Sequence, residues 1–313
     1  MNMRPPIYLA GHSGLIGSAF FRRFKKEGVT PLTKVHSDLD LSDGNKVQEY
    51  FEREKPQTVI LAAGKTGGIA DNQKFSADYI SQNLAIQSNV FQAAKAVDVD
   101  KVLFFGSSCM YPRDCTQPMR EDQLLTGKPE PTSISTAIAK LAGVYACLAF
   151  NQQYMKESFI PVIPNNVYGP GDNFDYQTSH VLAALVRRFH EAKEKEVSKV
   201  VLWGTGKPRR EFIYVEDLVD ACFHLMMGDR VDCELPVNIS SGQDYSIMEL
   251  AGIVSSIVGY KGGIEWDLSQ PDGAPKKILD CDRLYKQGWK PKIDIERGIR
   301  LTYDWYLTHE VVV

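Results

Sequence analysis

The hydrophobic positions of this chain form short continuous runs that alternate with longer segments of helical periodicity. The strand-type runs lie at residues 7–10, 32–35, 57–61, 102–105, 159–163, 199–203 and 212–215. Helical patterns occupy a segment that stops at Gly28 and residues 45–54, 77–96, 137–154, 216–227, 247–258 and 295–307. This alternation predicts an α/β fold with a doubly wound parallel sheet and right-handed crossovers.

A glycine-rich turn follows the first strand-type run. Gly11, Gly14 and Gly17 are spaced three residues apart between that strand and the next helix. Gly11 permits a tight turn, Gly14 lets the backbone approach a pyrophosphate, and Gly17 lets the helix pack on the strand. We therefore expect a Rossmann dinucleotide-binding domain in residues 1–165. Residues 166–313 are expected to form mainly a smaller α/β substrate-binding lobe, with some segments returning to the first domain.

The residues after the second run bear on the choice between NAD and NADP. Lys34 and His36, with Ser13 in the glycine turn, give this end of the site a mild basicity that favours the 2′-phosphate of NADP. Asp40 and Leu41 are expected beside the adenine. The third run ends in small residues, 62–68, which either leave room for a cofactor or form a flexible surface loop.

Two hydroxyls and a thiol end the central apolar run. Ser107, Ser108 and Cys109 lie at the carboxyl end of a predicted buried strand, where open α/β sheets carry their chemistry. Further along, Thr136 opens a helical segment that carries Lys140 inward. The alternative interpretation is a serine-rich turn followed by an ordinary amphipathic helix.

The second half of the chain offers candidates for a substrate cleft. Residues 164–174, rich in Asn, Gly and Pro, are expected to form its lip. Ser179 is expected to cap the next helix, with His180 in the first turn; His180 is either a surface residue or a functional group. Residues 204–211 predict a turn with three cations, which is either solvated or binds a diphosphate. Residues 271–277 predict a second polar turn.

Composition and charge exclude some partners. A net charge of −3 gives no reason to expect nucleic acid. No apolar run is expected to span a bilayer, and no secretory signal precedes the first strand, so we expect a cytoplasmic protein without a membrane partner. The six cysteines form no Cys-x-x-Cys pair and no zinc-type spacing with histidine, so we expect free thiols and no metal.

Several segments together resemble a known family. They are residues 11–17 (GHSGLIG), 61–63 (LAA), 106–112 (GSSCMYP), 164–174 (PNNVYGPGDNF), 179–180 (SH), 203–206 (WGTG), 209–212 (RREF) and 271–273 (PDG). They resemble the extended short-chain dehydrogenase/reductase superfamily and, within it, the GDP-L-fucose synthases. The resemblance runs nearly end to end. It implies epimerisation of a GDP-4-keto-6-deoxy sugar at C3 and C5, reduction at C4 with NADP(H), and a homodimer formed through helices 77–96 and 137–154.

The resemblance also implies roles for single residues. Cys109 and His180 match the family's acid–base pair at C3 and C5, and Ser107 and Lys140 match its reductase groups. Cofactor contacts are implied for Gly11, Ser13, Gly14, Leu15, Ile16, Gly17, His36, Asp40, Leu41, Leu61, Ala62, Ala63, Phe105, Gly106, Ser107, Lys140, Pro164, Asn165, Asn166, Val167 and His180. Substrate contacts are implied for Ser108, Cys109, Asn166, Arg188, Trp203, Arg210 and Asp272.

One position departs from the superfamily pattern. Its signature is Tyr-x-x-x-Lys, and Thr136 stands at the tyrosine position. An aliphatic hydroxyl is a far poorer acid than a phenol of pKa about 10. Thr136 leaves three hypotheses about function. The protein reduces its substrate slowly with Ser107 and a water in place of the phenol, epimerises it without reduction, or binds a nucleotide-sugar without turnover. A GDP-6-deoxy-4-keto-heptose is an alternative substrate. Ser13 also departs, since bacterial members carry Arg there.

Overall fold

A computed structural model describes residues 3–154, 156–176, 178–228, 234–270 and 272–309. In chain order its strands are β1 Ile7–Ala10, β2 Thr58–Leu61, β3 Lys101–Phe105, β4 Phe159–Pro164, β5 Asn166–Tyr168, β6 Lys199–Trp203, β7 Arg209–Tyr214, β8 Val237–Ile239, β9 Asp244–Ser246, β10 Gly263–Asp267 and β11 Lys276–Lys277. Its helices are α1 Leu15–Lys26, α2 Gly44–Glu54, α3 Ile69–Lys74, α4 Ser76–Ala96, α5 Ile134–Tyr154, α6 Val181–Glu194, α7 Val215–Met227, α8 Ile247–Val258, α9 Asp282–Lys286 and α10 Ile295–His309.

The central sheet is parallel and doubly wound, as predicted. Five strands lie in the order β1-β2-β3-β4-β8, and every neighbouring pair is parallel. Leu32 adds a single parallel bridge to Tyr8 on the outer side of β1. The chain therefore leaves β1 to one side and returns to β2 on the other. Such a reversal of strand order opens a crevice at the carboxyl ends of the strands.

Alternation along the strands divides the core into two layers. In β1, Tyr8 and Ala10 pack with residues of α2, α4 and α5. Ile7 and Leu9 face the opposite way and pack with residues of α1 and α7. Because successive strand side chains point to opposite faces, a strand covered by helices on both sides must be apolar throughout. This explains why the hydrophobic residues of the predicted strands form continuous runs in the sequence.

The second part of the chain builds small sheets and a third core. β10 pairs with β6, while β7 lies between β11 and β5 and also pairs with β9. Residues of α6, α8 and α10 pack on these strands. Three of the described elements return to the first domain: β8 joins the central sheet, α7 packs against α1, and α9 packs against β8.

Several predicted elements need correction. Residues 32–35 do not form a strand beyond the bridge at Leu32, because the chain turns away and leaves Val35 47% exposed. The turn predicted for 204–211 ends earlier, since Arg209 already belongs to β7. Of the second polar turn, Pro271 lies outside the described residues, and Lys276 and Lys277 pair with β7 as β11. The small-residue segment after β2 leads into α3, which the pattern did not predict.

The expectation about apolar runs also needs correction. The segment Pro131–Tyr154, which contains α5, is long and apolar enough to cross a bilayer by length and composition, with a mean hydropathy of 1.5. In this structure α5 packs against α4 and β4, and Leu141, Val144 and Cys147 belong to the first core layer. Its apolar character therefore has a packing cause within the fold.

Candidate active site

The glycine turn forms a cradle between β1 and α1. Gly11 has φ +78°, and a Cβ there would lie 2.6 Å from the Ala63 nitrogen. A Cβ on Gly17 would lie 2.0 Å from the Gly11 oxygen, so only glycine lets α1 approach the turn this closely. α1 has no side-chain cap and no acidic residue in its first turn. Its first N–H groups are therefore open to an anion.

The remaining cofactor candidates cluster by topology. Ala10, Leu61, Phe105 and Pro164 end β1 to β4, and these parallel strands are neighbours in one sheet. The candidates that continue from these ends therefore lie along one edge of the sheet; they are Gly11 with Ser13, Gly14, Leu15, Ile16 and Gly17, then Ala62 and Ala63, Gly106 and Ser107, and Asn165 with Asn166 and Val167.

The residues predicted to lie near the adenosine of the cofactor differ in their exposure to solvent. Ser13 and His36 are exposed. The Asp40 carboxylate accepts hydrogen bonds from the Ser42 hydroxyl at 2.7 Å and from its backbone N–H at 2.8 Å, and these bonds lower the pKa of Asp40. Leu41 is buried in the core next to it. Its side chain has a packing role whether or not a cofactor lies nearby.

Lys140 reaches from α5 to the end of β3. Its Nζ donates to the Phe105 carbonyl at 2.8 Å and lies 5.0 Å from the centroid of the Phe104 ring. Burial lowers its pKa to about 8, although the neighbouring Cys109 acts in the opposite direction. Lys140 is thus mainly protonated at pH 7 and loses its proton as the pH passes about 8.

Cys109 lies in a short 3-10 turn, Ser108–Met110, directly after β3. The Ser107 hydroxyl caps this turn by accepting from the Cys109 N–H at 3.3 Å. Burial raises the pKa of the Cys109 thiol, while Ser107, Lys277 and Lys140 all lower it. Two ammonium groups thus offset part of the effect of burial on the thiolate, an arrangement suited to proton transfer by sulfur.

Thr136 is half-buried near the start of α5. Its hydroxyl donates to Asn72 Oδ1 on α3. The Asn72 amide is fixed because its Nδ2 donates to the Gly67 carbonyl at 2.9 Å and to the Gly68 carbonyl at 3.0 Å. The single hydroxyl proton of Thr136 is therefore directed to Asn72, and only its lone pairs remain free.

His180 lies at the start of α6, and Arg188 lies near the middle of this helix. His180, not Ser179, occupies the N-cap position of this helix, because its backbone is extended, with φ −77° and ψ 162°; it makes no side-chain cap. His180 is exposed to solvent, and desolvation by the surrounding protein lowers the pKa of its imidazole. Arg188 is half-buried and has no hydrogen-bonded or ionic partner among the described residues.

The two neighbouring arginines of β7 differ in environment. Arg209 forms ion pairs with Asp244 and with Glu249, the latter at 3.2 Å. Arg210 is half-buried, and its Nη1 donates only to the Arg209 carbonyl, at 2.8 Å. Lys277 lies beside Arg210 in the β11–β7 register. Desolvation is the largest effect on both cations and lowers both pKa values, and Arg210 further lowers that of Lys277.

This pair of cations lacks a carboxylate partner, unlike Arg209. No ion pair involves Arg210 or Lys277 among the described residues. Sequence reasoning missed Lys277 and Asn72, because the first lies on a two-residue strand and the second on an unpredicted helix. Two adjacent, desolvated cations form a natural site for a dianionic group such as a diphosphate.

The last predicted substrate contacts lie on the second lobe. Trp203 ends β6 and is 66% exposed. Both oxygens of Asp272 accept from Thr205, one from its N–H at 2.9 Å and one from its hydroxyl at 2.6 Å. These bonds lower the pKa of Asp272. An exposed indole beside an ordered acidic loop can stack on a nucleobase.

The cysteines and the possible metal ligands can be followed within the described residues. Cys109, Cys115, Cys147, Cys222 and Cys281 form no disulfide in the described part of the chain, and Cys233 lies outside that part. Within that part, no group of three or more His, Cys, Asp or Glu side chains is arranged to hold a metal.

The structure combines a doubly wound sheet and a phosphate-binding glycine turn with the buried Lys140 and the half-buried Cys109. These features define the class of the protein as an NAD(P)-binding Rossmann enzyme. Comparison with known proteins narrows this class. Residues 7–240 match the model of the NAD dependent epimerase/dehydratase family. GDP-L-fucose synthase 1 of Arabidopsis thaliana is 48% identical over 302 residues, covering 96% of this chain and 93% of its own.

Solved structures agree with this match. A GDP-6-OMe-4-keto-L-xylo-heptose reductase from Campylobacter jejuni superposes with a TM-score of 0.91 at 36% identity, covering 98% of this chain and 99% of that one. A GDP-L-fucose synthetase from Naegleria fowleri bound to NADP gives 0.89 at 25% identity, covering 99% and 96%. The chain therefore belongs to the NAD dependent epimerase/dehydratase family and, within it, to the GDP-L-fucose synthases.

Proposed function

We propose that this protein converts a GDP-4-keto-6-deoxy sugar by epimerisation at C3 and C5 and NADPH-dependent reduction at C4, as in the formation of GDP-L-fucose from GDP-4-keto-6-deoxy-D-mannose. The observation that carries the proposal is Cys109. It lies at the sheet edge that bears the dinucleotide cradle, and Lys140 and Lys277 both favour its thiolate. A ketone at C4 acidifies the hydrogens on C3 and C5, which a thiolate can remove.

NADP(H) fits the residues that would hold it. The Gly11–Gly14–Gly17 cradle and the uncapped start of α1 suit its pyrophosphate. Lys140 would hold the nicotinamide ribose, and the exposed Ser13 and His36 would lie at the ribose 2′-phosphate. When bound, the cofactor supplies the hydride for C4. Ser107, one residue beyond Gly106 at the end of β3, can hydrogen-bond the C4 oxygen.

Cys109 and His180 support the epimerase chemistry as a base and an acid. Cys109 would take a proton from one face of the sugar, and His180 would return one to the other face. Desolvation lowers the pKa of His180, so its imidazolium form is a stronger acid and releases its proton to the sugar more readily. The Arg210–Lys277 pair and Arg188 would bind the diphosphate, and Trp203 and Asp272 the nucleoside.

A specific observation favours a second candidate, an epimerase with impaired reduction. The proton on the Thr136 hydroxyl points to Asn72 and not to the cleft. Lone pairs directed at the C4 oxygen would not stabilise the alkoxide formed by hydride transfer. A water that donates one hydrogen to Thr136 and one to the alkoxide could supply the proton instead, at a lower rate.

We further propose a cytoplasmic homodimer with residues 1–165 binding the cofactor and residues 166–313 binding mainly the nucleotide-sugar. Helices α4 and α5 pack on each other, and α5 leaves Ile138, Tyr145 and Tyr154 about 40% exposed. Exposed aromatic and aliphatic side chains on one helix support an interface between copies. Sedimentation of wild type and Tyr145→Glu tests this; a monomeric wild type would contradict it.

Incubation in deuterated water separates the proposed activities. With GDP-4-keto-6-deoxy-D-mannose and NADPH, we expect deuterium at C3 and C5, measured by NMR, and NADPH oxidation at 340 nm. Cys109→Ser or His180→Asn should lower deuterium entry by about 10²- to 10⁴-fold. Cys115→Ser, which removes another half-buried thiol, should retain wild-type entry. Absence of deuterium entry in wild type with this sugar and its heptose analogue would refute the epimerase proposal.

A further inference from the structure

A buried carboxylate adjoins the candidate site without belonging to it. Glu211 follows Arg210 in β7, and its side chain is fully buried. No ion pair involves it among the described residues. Its Oε2 alone accepts two hydrogen bonds, from Leu279 N–H at 2.7 Å and from Asn165 Nδ2 at 3.1 Å. Burying a carboxylate without a cation is unfavourable, and burial raises the pKa of Glu211.

On one side, Glu211 is linked to the turn that carries Cys109. Asn165, at the end of β4, bonds to Glu211 through its amide nitrogen. Its Oδ1 accepts from the Ser108 hydroxyl at 3.2 Å. Ser108 immediately precedes Cys109 in the 3-10 turn. Two side-chain hydrogen bonds thus connect the buried carboxylate to the residue before the thiol.

On the other side, Glu211 holds the segments that carry the two unpaired cations. Arg210 is its neighbour in β7, and Leu279 lies two residues beyond Lys277. Asn165 Nδ2 also lies 3.3 Å from the Lys277 carbonyl, which accepts from it. The carboxylate therefore fixes β11 against β7 and ties both strands to the end of β4. Removing it would leave the buried Leu279 N–H without an acceptor and Asn165 Nδ2 with only the longer bond to the Lys277 carbonyl.

We propose that Glu211 is a positioning residue that sets the Cys109 turn relative to the Arg210–Lys277 pair, so that binding of a diphosphate at the pair changes the reactivity of the thiol. This inference rests on the proposed function for the identity of the ligand, the diphosphate of a GDP-sugar. The connection runs through Asn165 and Ser108. It differs from a direct electrostatic effect of Lys277 on Cys109, which would not need Glu211.

Two substitutions separate the hydrogen-bonding role from the charge. Glu211→Gln keeps a carbonyl oxygen at the Oε2 position and so keeps both bonds. Its amide nitrogen would occupy the Oε1 position, which makes no hydrogen bond of normal geometry among the described residues and lies near the Ser240 hydroxyl and the Gly242 N–H. Glu211→Met has similar length and no acceptor. The matched pair therefore differs in the two hydrogen bonds.

The experiment measures alkylation of Cys109 by iodoacetamide with and without saturating GDP. A Cys115→Ser background leaves Cys109 as the one half-buried thiol among the described residues, and peptide mass spectrometry separates its alkylation from that of Cys233. In the background protein we expect GDP to slow alkylation by at least about fivefold, the lower end of typical coupling between sites. Glu211→Gln should preserve this ratio. In Glu211→Met the ratio should fall toward the smaller value that the direct effect of Lys277 on Cys109 leaves, although GDP binding, measured by calorimetry, can still be saturated.

The outcomes decide between the explanations. A ratio in Glu211→Met equal to that of the background protein would overturn the inference, and so would a ratio of 1 in the background protein. If Glu211→Met does not fold, as judged by thermal melting, Ser108→Ala replaces it, and an unchanged ratio there overturns the proposal equally. The alkylation assay involves no turnover of a keto-sugar. A ratio of 1 in the background protein, together with normal deuterium entry in the activity assay, therefore refutes this inference alone. Normal coupling without deuterium entry refutes the proposed activity alone.

Discussion

Restoring a phenol at position 136 should increase reduction strongly. In the present structure the Thr136 hydroxyl donates to Asn72, whose amide is fixed by the Gly67 and Gly68 carbonyls at 2.9 and 3.0 Å. The hydroxyl proton is therefore unavailable to an alkoxide at C4. Thr136→Tyr replaces this group by a phenol of pKa about 10, against about 15.7 for the water that would otherwise deliver the proton.

The magnitude follows from the surroundings of Lys140. Its pKa of about 8 means that the ammonium form dominates at pH 7. One turn along α5 from position 136, this charge favours ionisation of a phenol there. A positioned general acid contributes about 10²- to 10⁴-fold, or about 3–5 kcal/mol of activation free energy. We expect the rate of NADPH oxidation to rise within that range, and the gain to decline as pH passes about 8 and Lys140 loses its proton.

The assay records NADPH oxidation by stopped flow and deuterium entry at C3 and C5 in parallel. Thr136→Phe is the matched control, because it supplies the ring without the acid. Deuterium entry should stay within about twofold in both variants, since neither touches Cys109 or His180. If Thr136→Tyr reduces no faster than Thr136→Phe, proton supply does not limit reduction, and the reasoning from Asn72 is wrong.

Two further predictions concern charge. Asp172 is buried, and burial raises its pKa from 3.8 to about 7. The folded state therefore binds the proton more tightly than the unfolded state, so this residue lowers stability as pH rises from about 4 to 7; the interval corresponds to at most about 4 kcal/mol. Asp172→Asn should raise Tm at pH 8 but much less at pH 4.5, and an equal shift at both values would contradict this cause. Arg210→Met should raise the Kd of GDP about 10- to 100-fold by calorimetry, while Arg209→Met should leave it unchanged. Equal effects of the two substitutions on GDP binding would contradict the distinction.

Several features of the site could be predicted from sequence because they depend on local pattern. The Gly11–Gly14–Gly17 turn requires particular backbone conformations and close approaches, which only glycine tolerates. Continuous apolar runs identified the buried parallel strands, since strands covered on both faces contain no polar alternation. The replacement of a phenol by Thr136 is also evident from residue type alone. These are properties of neighbours in the chain.

The tertiary structure alone decided which polar side chains share a partner. Thr136 meets Asn72 across 64 residues, and Asn165 meets Glu211 across 46. Strand pairing separates Arg209, bound by Asp244, from Arg210, which lies beside Lys277 without a carboxylate. Adjacent strand residues point to opposite faces, and which face borders the site depends on a partner strand elsewhere in the chain. Periodicity along one segment carries no information about that partner, and so the electrostatics of the site emerge only on folding.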